Sequence, residues 1–165
     1  MRTSMAIALT VTMLALAGTT PATADALAAG RAAYARRDYA RAAAMLGPLA
    51  ERGNAEAQMM LGFMFATGQG VPQAYDAATY WYRRSAEQGN TTAQHLLGLM
   101  YDKGHGVRPS EIEAYKWLNL AAARAPKANR DYYQRLRDAV ASKMTRGQIT
   151  IGQWRALEWA ARPRD

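Results

Sequence analysis

The side chains that could support catalysis are few and poorly grouped. The chain has two histidines and no cysteine. Asp102, His105 and Ser110 are close in sequence, but a Ser-His-Asp triad depends on side-chain geometry, and Ser110 is better explained as a helix cap. Neither a Ser-x-x-Lys nor a Gly-x-Ser-x-Gly nucleophile motif occurs. We therefore expect a protein that is not an enzyme and has no catalytic residues.

Metal and phosphate sites are equally poorly supported. His95, Asp102 and His105 could be placed around a metal ion, but the sequence has no helical His-x-x-x-His pair. The loops Gly68-x-Gly70 and Gly104-x-Gly106 follow predicted helices, and no Gly-Lys-Ser/Thr continues them, so they do not predict a phosphate-binding loop. We expect neither a metal nor a cofactor.

An internal repeat is the strongest feature of the sequence. The pattern Ala-Gln-x2-Leu-Gly-x2-aromatic-x2-Gly-x-Gly-Val occupies residues 57–71 and returns at 93–107, thirty-six positions later. Self-similarity at this period predicts stacked helical hairpins. Capping signals place the first helix of each hairpin at about 55–67 and 91–103, and the second at about 74–88 and 111–124. Trp81 and Trp117 fall on the apolar stripes of the second helices and should be buried.

The predicted fold is all-α, a solenoid of about three stacked hairpins with a C-terminal helical cap. Its parts are a hairpin at 25–53, repeats at 54–89 and 90–125, capping helices at 126–161 and a frayed tail at 162–165. Thr145 and Gln148 have capping-box spacing at the start of the last helix, although Gly147 and Gly152 weaken its first turns.

The N-terminus predicts a secretory signal peptide. Arg2 is followed by an apolar run from Met5 to Ala17 and by the A-x-A site Ala22-Thr23-Ala24. This run is shorter than the roughly 20 residues that a membrane span needs. We expect cleavage after Ala24 and a periplasmic or secreted protein with no transmembrane segment in its mature form.

Positive charge is concentrated at the C-terminus. Residues 124–165 contain ten Lys or Arg against four Asp or Glu, whereas residues 25–123 contain ten against nine. A basic patch attracts anionic partners such as lipid surfaces, whereas the simpler interpretation is a solvated helix face. Nucleic acid is not an expected partner.

The motifs Leu-Gly-x2-aromatic, Gly-x-Gly-Val, Ala-x2-Trp and Ala-x2-Gly-Asn at this period resemble the Sel-one-like repeat family, a longer-looped relative of the tetratricopeptide repeat. The resemblance is specific over 53–123 and looser over 25–52. It implies a right-handed α-solenoid that acts as an adaptor or scaffold. Some exported members carry paired cysteines and have been linked to penicillin binding or β-lactam hydrolysis. The absence of cysteine disfavours that branch.

The resemblance also implies which residues line the concave groove. By analogy with the tetratricopeptide architecture, these are Met59, Phe63, His95, Leu99 and Asp102, although packing against a neighbouring hairpin is an equal alternative for the apolar ones. Our leading hypothesis is a monomeric, exported scaffold that binds a peptide or protein in this groove. The second is docking of the basic C-terminal helix on an anionic envelope polymer or membrane, and the third is a β-lactam- or peptidoglycan-acting enzyme.

Overall fold

The protein is all-helical over residues 21–162, which a computed structural model describes. The predicted signal peptide lies outside these residues up to position 20, and α1 begins just upstream of the predicted cleavage site. Tail residues 163–165 also lie outside them. The eight helices are α1 (Pro21–Ala35), α2 (Tyr39–Glu51), α3 (Ala55–Thr67), α4 (Tyr75–Glu87), α5 (Thr91–Lys103), α6 (Glu111–Arg124), α7 (Lys127–Ala141) and α8 (Arg146–Ala161).

The first six helices form three consecutive hairpins. α1 packs on α2, α3 on α4 and α5 on α6, while α2 packs on α3 and α4 on α5 to join neighbouring hairpins. The last two helices depart from this scheme, because α7 and α8 each pack on α6 and make little contact with each other. The predicted solenoid of three hairpins with a helical cap is thus confirmed.

The repeats begin and end with the same local chemistry. Asn54 and Asn90 cap α3 and α5 by accepting hydrogen bonds from backbone N–H groups three residues on, each at 2.9 Å. Gly68 and Gly104 end these helices in left-handed conformations with φ of 70° and 71°. The predicted limits of α3, α5 and α6 match the structure, because these capping signals are local.

The second glycine of each loop links one hairpin to the one before it. A Cβ on Gly70 would collide with the backbone carbonyl of Tyr39, and one on Gly106 would collide with that of Tyr75. Tyr39 and Tyr75 are the first residues of α2 and α4. Each loop therefore lies directly on the start of the preceding hairpin's second helix, where only glycine leaves room.

The tryptophans of both repeats are core residues, as predicted. Trp81 is 7% exposed and packs with Leu46 and Leu61, whereas Trp117 is 4% exposed and contacts Trp159 of the cap edge-on, with ring centroids 5.8 Å apart. Both repeats thus bury a tryptophan of their second helix.

Buried glutamines join successive hairpins. Gln58 Nε2 donates to the Ala50 carbonyl at 2.9 Å, and Gln58 Oε1 accepts from Gln88 Nε2 at 2.7 Å. In the next repeat Gln94 Nε2 donates to the Ala86 carbonyl at 3.2 Å, but its Oε1 is buried without a hydrogen-bond partner. The glutamine of the repeated Ala-Gln motif therefore bonds to the helix before it in both copies.

Within residues 21–162, none of the helices has the length and apolar character required to cross a membrane.

Candidate binding groove

The three residues considered for a catalytic triad, Asp102, His105 and Ser110, each interact with a different partner in the structure. The Asp102 carboxylate binds Lys143 Nζ at 2.7 Å, and the His105 ring stacks on Tyr75 with centroids 4.5 Å apart. Ser110 caps α6 and accepts from the Glu113 backbone N–H at 3.3 Å. Over residues 21–162, no group of three or more His, Asp or Glu side chains is placed to hold a metal ion.

Met59 and Phe63, two of the predicted groove residues, line the same cavity. It has a volume of about 280 Å³ and lies between α1 and α3, with Tyr34 and Met60 completing its wall. Phe63 is 37% exposed, so its ring is partly open to solvent. We call this site, defined by Tyr34, Met59, Met60 and Phe63, the groove cavity.

Hydrogen bonding holds one wall of the groove cavity in place. The Tyr34 hydroxyl donates to Gln69 Oε1 at 2.6 Å, and its ring meets Tyr39 edge-on with centroids 5.2 Å apart. Burial, with a smaller contribution from Tyr39, raises the pKa of Tyr34 above its ordinary value, so the hydroxyl remains a neutral donor at physiological pH. Tyr34 therefore presents a fixed aromatic surface to the cavity.

His95 is a predicted groove residue, but it does not line an open surface, because α7 covers it. Its side chain is 8% exposed, stacks on Tyr133 with centroids 4.5 Å apart and meets Tyr132 edge-on at 5.6 Å. Its Nε2 atom is buried without a hydrogen-bond partner. Burial lowers the pKa of His95 to about 4, so the ring is neutral at physiological pH. His95 thus packs the cap onto the second repeat.

The other two predicted groove residues lie away from the groove cavity. Leu99 is partly buried. Asp102 lines a separate, more polar cavity of about 310 Å³ together with Ser110, Glu111 and Lys143. The five predicted residues therefore do not share one site. Of the five, Met59 and Phe63 of the first repeat line an open apolar cavity, and the three of the second repeat do not.

Tyr34 and Met60 line the cavity but are not among the groove residues predicted from the sequence. Met60 directly follows Met59, but the tetratricopeptide analogy places groove residues two positions either side of the motif leucine, Leu61. Tyr34 belongs to the first hairpin, where the resemblance to the repeat pattern is looser and does not define which residues face the groove. A usable signal was the aromatic pair Tyr34 and Tyr39, which brackets the turn between α1 and α2.

The comparisons with known proteins identify the repeats. The Sel1 repeat family model matches residues 55–90 and 91–125. The chain contains two Sel1 repeats. The Sel1 fold is typically a scaffold for protein–protein interaction, and no enzymatic family is indicated. No curated protein matches the chain.

Solved structures share the fold. One is the crystal structure of c5321, a protective antigen present in uropathogenic Escherichia coli strains that displays an SLR fold; the match has a TM-score of 0.77 and 24% identity and covers 83% of this chain. A Sel1 repeat protein from Oxalobacter formigenes matches with a TM-score of 0.58 and 35% identity over 61% of this chain. The matched regions cover only 29% and 40% of those two chains.

Proposed function

We propose that the protein is an exported, non-catalytic scaffold that binds a segment of another protein at the groove cavity. The observation that supports this function is an apolar, partly open cavity within a Sel1-repeat solenoid. Ligand sites in proteins are typically concave and largely apolar. The groove cavity has these properties and lies between two successive hairpins.

The chemistry of the wall favours an apolar anchor on the partner. Its two methionines are flexible and polarisable, which suits adaptable contacts and favours aromatic guests. Tyr34 and Phe63 add aromatic surface. A cavity of about 280 Å³ has room for one large side chain and not for a folded domain. We expect an extended or helical segment that inserts a Phe, Trp, Leu or Met side chain, as peptide-binding grooves commonly require.

Site-specific crosslinking tests the proposal directly. A photoreactive phenylalanine analogue at position 63, in cells that export the protein, should capture a discrete partner identifiable by mass spectrometry. The matched control is the same analogue at position 80, because Tyr80 is an exposed aromatic residue on α4 at 52% exposure. Identical captured sets from the two positions would contradict binding in the groove cavity.

A charge-insertion pair provides the second test. With the photoreactive analogue moved to position 60, which also lines the groove cavity, Met59→Asp with Phe63→Asp should abolish capture, because it places carboxylates against the apolar partner side chain. Tyr80→Asp should leave capture unchanged, and circular dichroism should show the same helicity for all variants. An unaltered set of partners with the Met59/Phe63 pair would exclude the groove cavity.

Export is the remaining part of the proposal. Its support is the apolar run of residues 5–17 with the Ala22-Thr23-Ala24 site. Mass spectrometry of the protein from the bacterial periplasm should show a chain that begins at Asp25. Cleavage there removes only residues 21–24 of α1, which keeps Tyr34 and the groove cavity. A full-length chain confined to the cytoplasm would refute export.

A further inference from the structure

The outer face of α8 carries a row of exposed apolar side chains. Ile151, Trp154 and Leu157 are 45%, 67% and 66% exposed, and their spacing of three residues places them on one side of the helix. The opposite side, Gly152 and Ala156, is buried against α6. We call Ile151, Trp154 and Leu157 the α8 ridge. The packing of α8 on α6 does not require these side chains, so their exposure has no structural explanation within the described residues.

Basic residues occur along the length of α8. Arg146 begins α8, Arg155 lies in its middle and Arg162 caps its end, whereas Glu158 is the acidic residue of the helix. Arg155 is bound to Glu113 and Arg162 to Glu158, while Arg146 is exposed and has no ion pair within residues 21–162. Across the C-terminal segment 124–165 as a whole, the sequence carries ten basic against four acidic residues. An anionic surface complements this charge.

The size of the α8 ridge argues against a second protein as its occupant. About two-thirds of the Trp154 side chain is exposed. This corresponds to an accessible area on the order of 100–170 Å², since a whole aromatic side chain has about 150–250 Å² to bury. With Leu157 and Ile151 the ridge offers about 300–400 Å², within the range of the largest apolar patch on ordinary monomers. A stable protein interface needs about 800 Å² from each partner. A second copy of this chain, which carries the same positive charge, would also be repelled.

We infer that the α8 ridge docks on an anionic phospholipid membrane. In this arrangement α8 lies parallel to the surface, Trp154 and Leu157 enter the boundary between headgroups and acyl chains, and Arg146, which has no ion pair within residues 21–162, contacts lipid phosphates. Interfacial helices combine an apolar face containing Trp or Leu with basic residues in this way. The groove cavity lies on α1 and α3, which leaves it accessible, so docking does not depend on the proposed peptide binding.

Vesicle binding tests the inference with the mature chain, residues 25–165. Vesicles of seven parts phosphatidylcholine to three parts phosphatidylglycerol should bind the protein, and pure phosphatidylcholine should bind it much less. Trp154 is the exposed tryptophan among residues 21–162, since Trp81, Trp117 and Trp159 are at most 7% exposed. Its insertion should therefore shift fluorescence emission to the blue, and Trp154→Phe should remove that shift.

Ridge variants separate insertion from simple charge attraction. Trp154→Asp with Leu157→Asp should weaken vesicle binding at least about tenfold, because two large apolar side chains no longer enter the membrane. Tyr80→Asp is the matched control, and raising salt to 0.5 M should weaken binding by the wild type. Circular dichroism and crosslinking at position 63 report whether each variant folds and whether its groove cavity still functions.

Three outcomes would overturn the inference. The first is absence of binding to anionic vesicles, and the second is equal binding by the ridge variant. The third is a dimer in analytical ultracentrifugation that the ridge variant loses, without vesicle binding, which would assign the ridge to a second copy. Binding to lipopolysaccharide but not to phosphatidylglycerol would count as the first outcome.

Discussion

Two glycines of α8 should respond in opposite ways to the same substitution. A Cβ at Gly147 would meet no atom within 4 Å, whereas a Cβ at Gly152 would lie 2.8 Å from Tyr115 Cδ1 and 3.5 Å from the Ile112 carbonyl oxygen. Both substitutions replace a poor helix former with the best one, which favours the helix by up to about 1 kcal/mol. Gly147→Ala should therefore stabilise the protein by up to that amount.

Gly152→Ala should not stabilise the protein, because the new Cβ would collide with the Tyr115 ring. The Tyr115 ring is 5% exposed and packs with Leu118 and Val140, so it has little room to move. Inserting one carbon into a well-packed core typically costs about 1–3 kcal/mol. Setting the helix gain against that cost gives a net destabilisation of about 0–2 kcal/mol. The two alanine variants should thus differ by about 1–3 kcal/mol.

Thermal and urea unfolding followed by circular dichroism measure this difference. For a chain of this size, 1 kcal/mol corresponds to about 2–4 °C in Tm. A double-mutant cycle with Tyr115→Leu locates the clash, because the cost of Gly152→Ala should shrink when the ring is absent. If Gly152→Ala raised Tm as much as Gly147→Ala, the close approach of α8 to α6 would be refuted.

Other perturbations test the core, the polar links and the pH response. Trp81→Ala should destabilise by about 3–5 kcal/mol through the cavity it leaves, against about 0.5 kcal/mol or less for Tyr80→Ala, as read from unfolding midpoints. Gln88→Ala should cost about 1–3 kcal/mol in urea unfolding, because it removes the donor to buried Gln58 Oε1. Burial lowers the pKa of His95 to about 4, so the unfolded chain takes up the proton first. The free energy of unfolding therefore contains the full contribution of neutral His95 above about pH 6.5. That contribution is lost as the pH falls toward 4, which lowers the free energy of unfolding by up to about 3 kcal/mol. His95→Phe should flatten this part of the stability–pH curve, and an unchanged slope would contradict the assignment.

Features that depend on local chemistry were predictable from the sequence. The limits of α3 and α5 follow from Asn54, Asn90 and the glycines that end these helices, because capping acts within a few residues. The Thr145–Gln148 capping box is also confirmed. The predicted helix cap at Ser110 is confirmed too, because its side chain accepts from the Glu113 backbone N–H.

Features that depend on long-range packing were not predictable. The sequence predicts α7 and α8 as a cap, but it does not show that both pack on α6 and that this brings Tyr132 and Tyr133 over His95. Gly152 is a poor helix former within α8, yet its missing side chain permits close contact with Tyr115. In both cases the deciding neighbour is on another helix, and a single sequence does not reveal it.

The loop glycines have a consequence for how this architecture can diverge. Because Gly70 and Gly106 rest on the main chain of the preceding hairpin, the step from one layer to the next is set by the thickness of the polypeptide backbone. Side chains elsewhere can then be exchanged without altering the pitch of the stack. Recognition surfaces can therefore diversify while the spacing between successive hairpins stays constant.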